Sequence, residues 1–160
     1  MIVLGIDPGL SGGLAIVSGR QGERPLLLGA VSVPTTGEKA KRRVSVLAVM
    51  KFMRSFKVEH AFIERAQAMP DQGASSGFIY GRAVGALETC AEGLLIPLTV
   101  IEATAWKKAH GLIKTGKEDS RQRAMRLFPN GHAFFERKMD HNRAEASLIA
   151  WYGLQVLREQ

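Results

Sequence analysis

Cysteine is almost missing from this chain: Cys90 is the only one in 160 residues. No internal disulfide can form, and a reducing compartment is expected. Cys90 lies in an apolar helical run, which suits a small buried side chain better than a nucleophile. With no Cys/His cluster either, a structural zinc site is excluded. No apolar run reaches the roughly 18 residues of a membrane span. The N-terminus lacks the basic start and apolar stretch of a secretory signal. The expectation is a soluble, cytoplasmic protein that does not enter a membrane. Repeats and low-complexity segments are absent, and no compositional break divides the chain, so 1–160 reads as one domain. Acidic residues are scarce relative to basic ones, 15 against 22, giving a formal charge of +7. A basic face follows, with nucleic acid the first partner to consider and an anionic membrane surface the second.

What is present is ample apolar material, 46% of the residues, arranged in short bursts. Residues 2–6, 14–17 and 26–33 read as three strands separated by glycine-containing turns, close enough for an antiparallel meander. A polar connection over 34–39 leads to a helix whose Val46, Val49, Met50 and Met53 form an apolar stripe. The basic run Lys39, Lys41, Arg42 and Arg43 falls before and within the first turn of that helix, and its default reading is a solvated face. Residues 60–64 form a fourth strand, 66–76 a loop by composition, 77–93 a helix and 95–101 a fifth strand. Helices over 103–110, 118–128 and 141–157 complete the order β-β-β-α-β-α-β-α-α-α. That order implies an α/β fold with a mixed five-stranded sheet flanked by helices. Gly77, Gly81 and Gly85 recur along one ridge of the helix over 77–93. Each weakens it by about 1 kcal/mol relative to alanine, so a close neighbour is expected. The sheet and a second helix, as in a dimer, are equal choices.

The chemistry lies in carboxylates that packing does not require. Asp7 ends the first apolar strand and is followed by Pro8, Gly9, Gly12 and Gly13; Glu64 ends the fourth strand. Ionised carboxylates rarely end apolar strands unless they are paired or bind a cation. Asp140-His-Asn-Arg-Ala-Glu145 opens the last helix, where His141 and Glu145 share a face one turn apart. Asp140 stands where an aspartate also serves as a cap. Taken singly, each of these is weak. Together they are hard oxygen ligands suited to Mg²⁺ or Mn²⁺, with His141 a further ligand or a proton shuttle.

These residues fall into four motifs in order: Gly5-Ile-Asp-Pro-Gly9, Phe62-Ile-Glu64, Tyr80-Gly-Arg-Ala-Val-Gly85, and Asp140-His-Asn-Arg-Ala-Glu-Ala146. Between the last two lie Thr104-Ala-Trp-Lys-Lys108 and Lys114-Thr-Gly-Lys117. On these motifs the chain resembles the RuvC-type Holliday-junction resolvases of the RNase H-like superfamily, in particular the short versions of bacteriophages and prophages. The resemblance spans nearly the whole chain. It implies a homodimeric endonuclease that uses Mg²⁺, with Mn²⁺ as a substitute and two ions per site, in a bacterial cell or a phage-infected host. The substrate would be four-way or other branched DNA, nicked symmetrically on two strands of like polarity.

Asp7, Glu64 and Glu145 match the family's metal carboxylates, and Asp140 or His141 its remaining acid-or-histidine position. Lys107 and Lys117 match lysines facing the scissile phosphates, and Lys108 and Lys114 fall in the same phosphate-contacting segments. Two departures stand out. The family's usual spacing on the last helix lands on Asn142, so the sequence does not choose among Asp140, His141 and Asn142. Where the bacterial enzymes carry an aromatic after the strand-end glutamate, this chain reads Arg65-Ala-Gln-Ala-Met-Pro70, which leaves Met69 as the apolar wedge. Competing expectations are an RNase H-like nuclease for flaps, forks or RNA–DNA hybrid, a nuclease-dead binding module, and an actin-like ATP-binding relative. The sequence leaves open whether a helicase partner is needed.

Overall fold

The computed structural model describes residues 1–20, 22–67 and 73–159. Its centre is strand β1 (Ile2–Asp7), flanked by antiparallel β2 (Gly13–Ser18) and then β3 (Leu26–Ser32). A two-residue pair, β4 (Thr35–Thr36) with β5 (Arg43–Val44), precedes helix α1 (Val46–Arg54). Strand β6 (His60–Glu64) lies parallel to β1 on its other side. Helix α2 (Ala74–Gly93) and strand β7 (Leu98–Ile101) follow, giving a sheet of order β3-β2-β1-β6-β7. Helices α3 (Ala103–Ala109), α4 (Lys117–Leu127) and α5 (His141–Arg158) complete the chain, with short 3₁₀ turns between the last two. No helix among the described residues is long and apolar enough to cross a membrane.

Side-chain alternation along the strands builds two cores and places the acids. Leu4 and Ile6 of β1, with Ala61 and Ile63 of β6, pack toward α1 and α2. Val3 and Phe62 point to the opposite face, against α5 and Trp106. Helices therefore cover both faces, which is why these strands are apolar throughout rather than alternating with polar residues. Asp7 continues the alternation of Val3 and Gly5, and Glu64 that of Phe62, so both carboxylates fall on the α5 face. Register completes the placement: Ile6 pairs with Ile63, setting Asp7 and Glu64 at the same end of neighbouring strands.

Helix α5 lies almost on the sheet backbone because two glycines allow it. A Cβ on Gly5 would sit 2.0 Å from the Ala146 carbonyl oxygen, and one on Gly153 would sit 2.2 Å from the Phe62 ring. This contact fixes how far the helix, and Glu145 with it, stands from the ends of β1 and β6.

Several boundaries differ from the sequence expectation. The basic run does not open α1: Lys39–Lys41 is a 3₁₀ turn and Arg43 lies on β5, a hairpin tied back by Ser45 N–H donating to Pro34 O at 2.8 Å. The apolar stripe of α1 is narrower than expected, since Val46 is exposed and only Val49 and Met53 are buried. Strand β7 starts at Leu98 rather than at 95, because Leu95 adopts a left-handed φ of 58° that a strand cannot hold. Helix α2 begins earlier, at Ala74, and Cys90 is buried on it. The glycine ridge of α2 does not pack on the sheet. A Cβ at Gly77, Gly81 or Gly85 would meet nothing within 4 Å.

Candidate active site

The three carboxylates line one end of the sheet. Asp7, Lys117, His141 and Glu145 face a cleft of about 450 Å³, floored by the 8–12 backbone and walled by Tyr80. Glu64 opens on an adjoining hollow of about 330 Å³ on the far side of Tyr80, beside Arg65 and Glu102. The two hollows communicate electrostatically. Burial, followed by the charges of Glu145 and Glu64, pushes the Asp7 carboxyl well above the usual carboxylate range, and Lys117 and Lys107 only partly oppose this. No hydrogen-bond donor among the described residues relieves Asp7. Burial also raises Glu64, opposed by a Trp106 hydrogen bond and by Lys107, with Glu145 pushing it further up. The Tyr80 hydroxyl is raised by burial and by the charges of Glu64 and Asp7. An uncompensated buried carboxylate of this kind calls for a proton or a cation.

Each remaining acid is oriented by a neighbour. Trp106 of α3 is fully buried, and its indole N–H, able only to donate, gives its hydrogen bond to Glu64 Oε2 at 2.7 Å. Lys107 lies 5.3 Å over the same indole ring, which holds its ammonium near Glu64. Ser120 on α4 donates to Glu145 Oε1 at 3.2 Å. Lys117 opens α4 directly after Gly116 and lines the cleft opposite Glu145.

Three consecutive residues at the start of α5 take three different roles. Asp140 is buried and does not line the cleft. Its carboxylate accepts from the Arg137 N–H at 2.9 Å and from the Arg137 guanidinium at 2.9 Å, with Arg143 at 3.7 Å, and these partners hold it below the usual carboxylate range. His141 does line the cleft. Its Nδ1 lies 3.2 Å from the Lys138 carbonyl, which can only accept, so Nδ1 carries the proton and Nε2 of the neutral ring keeps its lone pair. Asn142 is buried, and its amide donates to Ser11 O and Gly12 O, each at 3.1 Å. Two carbonyl acceptors dictate that orientation, and the bonds pin the loop that follows Asp7.

The other expected residues lie at the margins. Arg65 is exposed and ion-paired to Glu102 beside Glu64. Lys108 and Lys114 are exposed and do not line the cleft, and Lys114 holds a left-handed φ of 60°. Met69 falls outside the described residues. Sequence reasoning missed the orienting roles of Trp106, Ser120 and Asn142 and the wall formed by Tyr80. Trp106 and Tyr80 stood inside motifs already singled out, but their roles depend on partners distant in sequence. Among the described residues no three Asp, Glu, His or Cys side chains are drawn together tightly enough to share one ion. Asp7 and Glu145 face the cleft and Glu64 the adjoining hollow instead, with Glu64 and Glu145 each tethered by a hydrogen bond through a single oxygen.

Among solved structures, the fold matches T. thermophilus RuvC in complex with a Holliday junction substrate, with TM-score 0.76 and 21% identity over 99% of this chain and 96% of that one. A second T. thermophilus RuvC structure matches at 0.70 and 20%, covering 98% and 96%. The fowlpox virus Holliday junction resolvase matches at 0.63 and 12%, covering 98% and 99%. No family model and no curated protein matches the chain in sequence. The mixed five-stranded α/β sheet flanked by helices, expected from the sequence, is therefore the fold observed, and it is the fold of these RuvC structures.

Proposed function

We propose that this chain is a single-domain, structure-selective endonuclease that resolves four-way and other branched DNA, using Mg²⁺ at the ends of β1 and β6. One observation carries the reading: Asp7 and Glu145 face one cleft with Glu64 at the same end of the neighbouring strand, and burial followed by those two charges raises Asp7, which has no hydrogen-bond donor among the described residues. The oxygen-rich donor set fits a hard divalent cation better than a soft one. Asp7, Glu64 and Glu145, with His141 Nε2 as the nitrogen donor, would divide two such ions between them, water and phosphate oxygens completing each shell. Bound there, the ions would supply Lewis acidity toward the phosphate and activate a water.

The chain's own residues do the remaining work. Trp106 ties one carboxylate oxygen of Glu64 and Ser120 one of Glu145, and among the described residues neither second oxygen has a hydrogen-bond donor. Lys107 and Lys117 bring positive charge beside the acids, where it binds the DNA phosphates and stabilises charge that develops in the transition state. Asp140 belongs to the support of the site: locked by Arg137 and Arg143, it fixes the start of α5 and so the aim of His141. The open glycine ridge of α2 is the face on which two copies would pair as a homodimer, giving the two symmetric active sites that a four-way junction requires. The protein would work in the cytoplasm of a bacterial cell or phage-infected host.

The test is to incubate purified protein with synthetic four-way junction, fork, linear duplex and RNA–DNA hybrid in Mg²⁺, with light scattering on the same preparation. Paired symmetric nicks in the junction by a dimer are expected. Cleavage of only forks or hybrid by a strict monomer would replace the resolvase reading with a different RNase H-like nuclease.

A further inference from the structure

A third hollow lies beside the 8–12 loop. It measures about 280 Å³ and is lined by Arg42 and Arg43 of the β5 hairpin, by Arg82 of α2, and by Leu10, Val44 and Ile79. Among the described residues no carboxylate lines it. Among the described residues none of the three guanidinium groups belongs to an ion pair. The arrangement is built rather than incidental. Arg42 Nε donates to Thr35 Oγ1 at 3.1 Å, and its Nη2 donates to the Leu10 carbonyl at 2.9 Å. Arg82 lies 5.7 Å over the Phe78 ring. Leu10 and Ile79 also line the acidic cleft, so the two cavities share a wall. A chain of phosphates occupying the cleft next to Asp7 would pass over that wall into positive charge.

We propose that Arg42, Arg43 and Arg82 form a phosphate-binding hollow that grips the DNA backbone beyond the acidic cleft. Three guanidinium forks suit the non-bridging oxygens of phosphodiesters, each offering paired donors. The short hairpin β4–β5 gains a purpose: it carries the basic run to the rim of the site instead of leaving it on a solvated helix face. Because Arg42 holds the Leu10 carbonyl, DNA bound in the hollow leans on the same loop that Asn142 pins from the other side. This inference rests on the reading of the chain as a DNA nuclease and adds to it a binding locus outside the metal ligands.

The experiment measures binding of a labelled four-way junction by fluorescence anisotropy in EDTA, from 50 to 200 mM salt. It compares wild type, R43Q/R82Q, the charge-keeping R43K/R82K, and R54Q/K57Q as a control at the opposite end of β6. Losing two phosphate contacts should flatten the log–log salt slope by about two, so that over this range wild-type affinity falls about 12-fold further than that of R43Q/R82Q. R43K/R82K and R54Q/K57Q should keep the wild-type slope. An unchanged slope for R43Q/R82Q, or an equal flattening in R54Q/K57Q, would overturn the hollow while leaving the nuclease reading intact. A wild type that binds no branched DNA would overturn the nuclease reading, and this one with it.

Discussion

Replacing Asp7 by asparagine keeps the shape of the side chain and removes the charge on which the site depends. Burial and the charges of Glu145 and Glu64 raise the folded-state pKa of Asp7 above its unfolded value. The folded state thus binds the proton more tightly than the unfolded one. Below the unfolded carboxylate pKa of about 3.9 Asp7 is neutral in both states and imposes no penalty. As pH rises from there through the folded pKa, the penalty grows, and above it the penalty is fully present. Desolvation, with two carboxylate neighbours partly offset by Lys117 and Lys107, makes a penalty of about 1–3 kcal/mol a reasonable magnitude. In metal-free buffer Asp7→Asn should therefore stabilise the protein at pH 7, raising Tm by about 3–9 °C for a chain of this size. The gain should disappear by about pH 4. In Mg²⁺ the same variant should lose cleavage by about 10³-fold or more, as expected when several kcal/mol of transition-state stabilisation are removed. Its binding of junction DNA should be kept or strengthened. Calorimetric melts at pH 4 and pH 7, paired with a nicking assay, read all of this. A variant less stable than wild type at pH 7, or one that cuts normally, would mean that the three carboxylates do not act on one another.

Trp106→Phe removes the only donor to Glu64 Oε2 among the described residues, a bond to a charged acceptor worth about 1.5–3 kcal/mol. Glu64, already raised by burial, should then ionise at still higher pH, and the acid limb of a cleavage–pH profile should move upward; an unmoved limb would deny Trp106 its orienting role. Asn142→Ala frees the Ser11 and Gly12 carbonyls and should cost about 1–3 kcal/mol in a denaturant melt together with much of the turnover, whereas Asp140→Ala should damage stability more than metal binding. Lys107→Ala and Lys117→Ala should each lower turnover and flatten the salt dependence of binding by about one; rates equal to wild type for both would make them ordinary surface. Gly81→Leu on the open ridge of α2 should leave the monomer folded, since no atom stands in its way, but shift light scattering from dimer to monomer.

The main lines of the fold were readable because the signals were local and redundant. Strand β6 began and ended where its apolar run did, and β1 extended by one residue to include Asp7 itself. Alternation then supplied something the sequence reading had not used: Val3, Gly5 and Asp7 share one face, and so do Phe62 and Glu64. The hairpin β4–β5 escaped because two paired residues on each side leave no periodicity to detect. Spacing alone also failed to sort Asp140, His141 and Asn142. Their roles depend on the first turn of α5 and on partners as near as Arg137 and as far as Ser11, 131 positions away. In retrospect the arginines at three residues on either side of Asp140 were a local hint that it was bound to guanidinium rather than to metal.

The charge distribution ties these parts together. A protein of net charge +7 keeps its acids scarce, yet gathers three of them where a strand, its neighbour and a helix start converge. Left unneutralised, that spot would repel the phosphates that the surrounding lysines and arginines attract. On the proposed reading, binding and cutting would therefore draw on different parts of the surface. Basic groups at the rim, on α3, α4 and the β5 hairpin, would hold a polyanion in place, while the acidic end of the sheet would admit a phosphate only alongside cations. Such a division would account for the burial and hydrogen bonding of Trp106, Ser120 and Asn142. The acids must stay near one another against their own repulsion, and only packing and hydrogen bonds from the α5 side of the sheet resist it.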